Sequence, residues 1–141
     1  MSRNPFEALF RVRAIRERQA RAEMGRARLA QQEAYDRLQE LKRSLEDTPG
    51  LPGNLTPTQL RALQLTGITS HERLLEASAA YEEAHAVHEH HVARWRATDA
   101  ELEAADRLRQ KKKEAAAYRA IVATERAMDD LLLSLRARRR R

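Results

Sequence analysis

The stretch HAVHEHHV, residues 85–92, gathers His85, His88, His90 and His91 around Glu89, four of the five histidines of the chain. Imidazoles and carboxylates are ordinary zinc ligands, and zinc takes four of them in a closed structural site or three plus a water in a catalytic one. On a helix His85 and Glu89 stand four residues apart and share a face. The HExxH arrangement of zinc peptidases is missing, and there is no cysteine to complete a thiolate site. Whether a metal could be held therefore depends on what the rest of the chain sets against this face.

Composition narrows that question. The chain has 141 residues, the length of one ordinary domain; 34% are charged, 4% are aromatic, and there are four Gly and four Pro. Ala, Arg, Glu, Leu and Gln dominate, the signature of long helices or coiled coils with no thick core. The absence of cysteine excludes disulfides and is compatible with a reducing compartment. The opening MSRNPFEALFRVRAIRERQARAEMGRARL has no uninterrupted apolar segment of the kind a signal peptide needs. No run approaches the ~20 apolar residues that span a bilayer. The expectation is a soluble, cytoplasmic protein. Its net charge of +6 is concentrated at the ends: residues 1–28 hold eight Arg against three Glu, and the closing RARRRR adds five Arg. Basic ends point to an acidic partner such as nucleic acid, an anionic membrane surface or an acidic protein channel.

Helix breakers then divide the chain. Pro49, Gly50, Pro52, Gly53, Pro57 and Gly67 fall within nineteen residues, and from Glu72 to Arg141 there is neither Gly nor Pro. Asn4 followed by Pro5 is a helix start, and both Thr56-x-x-Gln59 and Thr69-x-x-Glu72 have capping-box spacing. The expected fold is all-α: helix 4–46, a tip 47–69 with a short helix at 57–65, and helix 70–136. A short connection folds two such helices into an antiparallel coiled-coil hairpin. The second helix offers Leu74, Ser78, Tyr81, His85, His88, Val92, Trp95, Asp99 and Leu102 at alternating steps of four and three. In the first, Leu38, Leu41 and Leu45 are joined by Ala34, Ala27 and Met24, while Val12 and Ile15 fall out of step. This predicts a loose coiled coil with local stutters.

If residue 46 meets residue 70, facing residue numbers sum to about 116. That register sets Tyr81 by Tyr35, Leu74 and Leu75 near Leu41, and Trp95 opposite Ala20, Ala22 and Gly25, large against small. It sets His85 and His88 against Gln31 and Arg28, with His90 and His91 turned outward. A guanidinium repels a cation, so no metal site is expected, and the histidines read as polar seam residues that fix register. No nucleophile triad, phosphate-binding glycine loop or paired-carboxylate pocket is present, and two thin helices offer no cavity for one. The chain is read as non-enzymatic, with no cofactor and no small-molecule substrate.

The same arithmetic leaves Lys113 to Arg141 without a partner, about 29 residues or ~40 Å of helix. This overhanging C-terminal helix keeps Tyr118, Ile121, Val122, Met128, Leu131, Leu132, Leu133 and Leu135, an apolar stripe that calls for a partner from outside. The tip keeps a second apolar set in Leu55, Leu60, Leu63, Leu65 and Ile68.

From Trp95 to Leu135 the residues WRATDAELEAADRLRQKKKEAAAYRAIVATERAMDDL resemble the C-terminal part of the flagellar FliJ family. That family has a Trp, a basic run, an Ala-rich turn and a Met-Asp-Glu, written here as Met128-Asp129-Asp130. The resemblance implies a coiled-coil stalk of the flagellar type III export apparatus, cytoplasmic and peripherally associated with the membrane at the flagellar base. It implies that the terminal helices enter the hexameric ring of the export ATPase FliI, through Tyr118, Arg119, Ile121, Val122, Arg126, Met128, Asp129, Asp130 and Leu132. It further implies a tip (Leu60, Leu63, Leu65, Ile68) that meets the export gate protein FlhA, and contact with export chaperones. Two other readings stand beside it: a stalk subunit of a virulence-type secretion system or rotary ATPase, and a basic coiled coil that binds nucleic acid. Against the last, stacking aromatics are nearly absent and no dimerising zipper follows the basic region.

Overall fold

The computed structural model describes residues 4–47, 50 and 53–141. Two helices make up almost all of them, α1 (Pro5–Glu46) and α2 (Pro57–Arg139). Asn4 begins α1 as expected: its Oδ1 accepts a 3.0 Å hydrogen bond from the Phe6 N–H, and Pro5 occupies the first turn, where no amide proton is needed. α2 begins with the predicted capping box. Thr56 Oγ1 accepts from the Gln59 N–H at 3.3 Å, and Gln59 Oε1 accepts from the Thr56 N–H at 3.1 Å.

The tip differs from its prediction. A short helix at 57–65 and a second start at Thr69 were expected; α2 instead runs unbroken through Gly67. A mid-helix glycine costs only about 1 kcal/mol relative to alanine, too little to end a helix that continues well formed on both sides. Gly67 has no positive φ. Thr66 and Thr69 donate their hydroxyls to the Ala62 and Leu65 carbonyls at 2.8 and 2.9 Å, so they sit inside the helix and do not cap a new one. The expected helix 70–136 is thus the larger part of an 83-residue helix.

The chain divides into two compact units, one of residues 1–17 with 98–141 and one of 18–97. In the second unit, α1 and α2 pack antiparallel: Tyr35 and Tyr81 rings lie 5.7 Å apart, and Gln31 pairs with His85. Both pairs sum to 116, the predicted register. The covered positions of α1 in this unit include Ala20, Met24, Ala27, Gln31, Ala34, Leu38 and Leu41, in steps of four and three, with Glu23 and Gln39 half-buried beside them. On α2 they include Leu74, Ala77, Tyr81, Ala84, His88, His91 and Trp95, stepping by three and four. No stutter interrupts either run. Large and small alternate across the register: Leu38 is level with Ala77, Tyr81 with Ala34, Trp95 with Ala20. Two sequence expectations shift here. Ala20 is buried, but Ala22 and Gly25 are exposed, and a Cβ on Gly25 would meet nothing within 4 Å. Beside the expected Ser78 and Val92, which are half-buried, Ala77, Ala84 and His91 one residue earlier are half-buried as well, while His85 is exposed yet bonded to Gln31. Alanines at heptad spacing mark this earlier series, a signal that larger neighbours obscured.

In the first unit the seam positions are Phe6, Phe10, Arg13 and Glu17 on α1, with Thr98, Leu102, Ala105 and Arg109 on α2. Ala105 is buried and Leu108 is exposed, because Ala105 and Arg109 occupy the seam at that level. The Arg109 guanidinium lies 3.8 Å from the centre of the Phe10 ring, 2.7 Å from Asp106 Oδ1 and 3.8 Å from Glu7 Oε2. Arg13 pairs with Glu101, and the Lys112 ammonium stands 5.2 Å from the Phe6 ring. Cation–π contact and ion pairing thus take over where aliphatic side chains run out.

This core is thin: among the described residues the buried apolar side chains are Ala20, Ala27, Leu38 and Ala105. Leu38, 6% exposed, is the one large side chain among them, whereas Leu29 is 66% exposed. Leu38→Ala should therefore lower stability by about 2–3 kcal/mol and Leu29→Ala by less than about 0.5 kcal/mol, read as the shift in urea unfolding midpoints. Equal effects would contradict the register.

Candidate functional site

The histidine cluster does not converge. Gln31 Nε2 donates to His85 Nδ1 at 2.8 Å, which leaves the ring proton of neutral His85 on Nε2. His88 lines a shallow groove with Arg28, Gln31, Gln32, Tyr35 and Tyr81. His91, expected to point outward, turns toward α1 instead: its Nδ1 lies 3.7 Å from Glu23 Oε2, which Arg94 also approaches at 3.4 Å. Position explains the change, since 91 belongs to the inward series with Ala77, Ala84 and Ala105. Among the described residues no group of three or more His, Cys, Asp or Glu is placed to hold a metal ion. The amide and guanidinium that meet His85 and His88 are not cation ligands of the kind zinc selects. His85 and His91 meet Gln31 and Glu23 of α1, His88 lines the groove beside them, and His90 is exposed.

What remains are two exposed apolar sets on α2. From Lys113 to Arg141 every residue is exposed except half-buried Val122. At about 100° per residue, Tyr118, Ile121, Val122, Met128, Leu132 and Leu135 fall on one side of the helix. Glu125 and Asp129 lie within the same arc. The seam positions that follow Arg109 by heptad spacing are Lys112, Ala116, Arg119, Ala123, Arg126 and Asp130, and they lie on nearly the opposite side, about 150° away. The residues expected to bind an ATPase ring therefore separate into two faces. Tyr118, Ile121, Val122, Met128, Asp129 and Leu132 form one; Arg119, Arg126 and Asp130 belong to the other. An extension of α1 could not cover the apolar face, because the face has rotated away from the seam.

The second set lies near the start of α2. Leu60, Leu63, Leu65 and Ile68 are all exposed. They do not share one face. Leu60 and Leu63 stand together with Gly67 between them and the first covered residue, Ser70; Ile68 sits on a flank, and Leu65 is on the far side of the helix. From Gly53 to Ser70 the only charged residue is Arg61. Charge is also unequal between the two units. Residues 1–17 and 98–141 hold 16 Lys and Arg against 10 Asp and Glu, whereas 18–97 hold 11 of each. The whole excess of six positive charges therefore resides in the unit that contains the C-terminal stripe, two of it from residues 1–17 and four from 98–141. Among the described residues no helix is long and apolar enough to cross a membrane.

The family profile described as "Flagellar FliJ protein" matches residues 1–141, the full length given. No curated protein sequence and no solved structure matches the chain.

The scattered imidazoles generate a direct expectation. Protein purified without an affinity tag should carry zinc and iron far below one equivalent by elemental analysis. Near-equimolar metal that disappears in the double variant His85→Ala, His88→Ala would overturn the register role of these residues.

Proposed function

The chain belongs to the flagellar FliJ family, and on that premise we propose that it is a non-catalytic stalk of the flagellar export apparatus. Its C-terminal stripe would dock into the ring of the export ATPase FliI, while the start of α2 would meet the export gate protein FlhA, with export chaperones as further partners. The observation that carries this reading is the exposed stripe of Tyr118, Ile121, Met128 and Leu132, with half-buried Val122 among them, set on the opposite side of α2 from the intramolecular seam. Large apolar side chains held in water on a regular helix face are a liability unless a partner covers them. A ring channel can contact a helix on every side. It suits a segment whose apolar face and whose Arg119–Arg126 face point in nearly opposite directions. The positive excess of the same unit fits an acidic channel lining.

Magnitudes divide the labour. Each apolar side chain that becomes buried contributes ~1.5–3 kcal/mol, and each solvent-exposed ion pair typically ~0–1 kcal/mol. The stripe would set affinity, and the arginines would set the rate and orientation of approach. Removal of residues 114–141 leaves every interhelical pair described above intact. The truncated protein should therefore remain helical and fold cooperatively, yet no longer stimulate a purified export ATPase. Neutralising Arg136 and Arg138–141 should slow association and flatten its salt dependence without abolishing binding. Full stimulation by the truncated chain would refute the stalk role.

A further inference from the structure

Three arginines that border the seam are paired with acids: Arg13 with Glu101, Arg94 with Glu23, and Arg109 with Glu7 and Asp106. Arg28 is not. Its helical neighbours three and four residues away are Met24, Gly25, Gln31 and Gln32, none of them acidic. His88, level with it on α2, has Ala84, His85, His91 and Val92 at the same spacings. Glu89, next in level, does not line the groove beside them and forms no ion pair with Arg28. Arg28 and His88 open onto that groove of about 290 Å³, whose other walls are Gln31, Gln32, Tyr35 and Tyr81, with no carboxylate among them. Gln31 is already bonded to His85, and Gln32 to Asp36. Arg28 and His88 thus bring hydrogen-bond donors that no described residue uses. Tyr35, 43% exposed and tilted 57° against Tyr81, adds an aromatic wall. The connection between the helices has both its ends away from this groove. Glu46 lies about 16 Å along α1 from Tyr35, and Pro57 about 36 Å along α2 from Tyr81, in the same direction.

We propose that this groove binds a carboxylate, the Glu or Asp side chain of a partner protein. The carboxylate accepts a forked pair of hydrogen bonds from Arg28 and a further one from the His88 ring, while its methylene stem lies against Tyr35. A neutral imidazole keeps one N–H, so His88 can donate without being charged. Phosphate fits less well. Phosphate sites draw on backbone amides at helix N-termini, whereas the groove lies mid-helix, where those amides are spent, and it offers one guanidinium. The unit that holds it, residues 18–97, has equal numbers of basic and acidic residues and so no broad field for a polyanion. A shallow groove also encloses too little of a free small molecule to hold it well, which favours an acid presented on a protein surface. This site goes beyond the stalk reading and uses neither exposed apolar set.

The test uses the full-length chain. Arg28→Gln and Arg28→Glu should keep the helix content and thermal midpoint of the parent; a lowered midpoint in Arg28→Gln would give Arg28 a task inside the hairpin and overturn the proposal. Glutamate blocked at both backbone ends, added to isotope-labelled protein, should move the NMR signals of the Arg28 Nε–H and the His88 ring along one saturating curve. Arg28→Gln should weaken that binding at least tenfold, as should blocked glutamine in place of blocked glutamate, and Arg37→Gln should leave it unchanged. No shift, equal shifts from blocked glutamine, or tighter binding of inorganic phosphate overturns the carboxylate site. Succinate that binds tenfold more tightly than blocked glutamate assigns the groove to a free small carboxylate and overturns the partner. In the cell, a photo-crosslinking phenylalanine analogue in place of Tyr35 should give adducts to one acidic segment of another protein. Those adducts should fall at least tenfold with Arg28→Glu and return when the acid in that segment is changed to Arg. A reversal that restores nothing overturns the proposal, as do adducts to lipid or to a second copy of this chain, or none at all.

Discussion

Everything in this protein depends on the register of α1 against α2. Tyr35 with Tyr81 and Gln31 with His85 sum to 116, the interhelical pairs of the other unit sum to between 114 and 119, and the match is made by size more than by hydrophobicity. Leucine, tyrosine and tryptophan on one helix are level with alanine on the other, which lets the backbones approach closely without a thick apolar layer. Glu17, 3% exposed and partnered, occupies one of these seam positions. Gln31, His88, His91, Arg13 and Arg109 occupy others. Such residues lower stability relative to leucine, yet they tolerate few alternative alignments, because a slipped register would leave a buried amide or carboxylate unpaired. A two-helix seam with four buried apolar residues gains little from burial alone, so specificity has to come from pairing and shape.

Because the seam is so narrow, most of each helix surface is turned to water. That places a premium on which faces carry apolar side chains. α2 carries them in three phases along its length. At its start, at Leu60 and Leu63, they are exposed. In its middle they are covered by α1. Beyond Lys113 they have rotated to nearly the opposite side, while the seam series passes into alanine, arginine and aspartate. α2 therefore carries two exposed apolar sets in different surroundings, one near Gly67 and one within the unit that holds the positive excess of six.

Two glycines show how little a local signal can decide. Gly67 breaks the rule that glycine ends helices, and the cost of keeping it within α2 is modest. Gly25 also sits inside a helix, on an exposed face of α1.

Much of this was legible in the sequence. Pro5, Pro57 and the paired Thr56 and Gln59 set the helix starts because capping chemistry is local. The antiparallel register followed from helix lengths, and it placed Tyr35 by Tyr81 and Gln31 by His85 correctly. Recognition of the family followed from the run between Trp95 and Leu135. Other features needed the tertiary structure. Alanine is a weak periodic signal beside larger neighbours, so the inward series of Ala77, Ala84, His91 and Ala105 emerged only once α1 covered it, and His91 turned inward with it. Continuity of α2 through Gly67 is decided by the helix on both sides, which no single-residue propensity reports. Which of the tip leucines share a face, and that the terminal stripe lies opposite the seam, depend on helical phase. Phase follows from the unbroken helix, which local propensity at Gly67 did not announce.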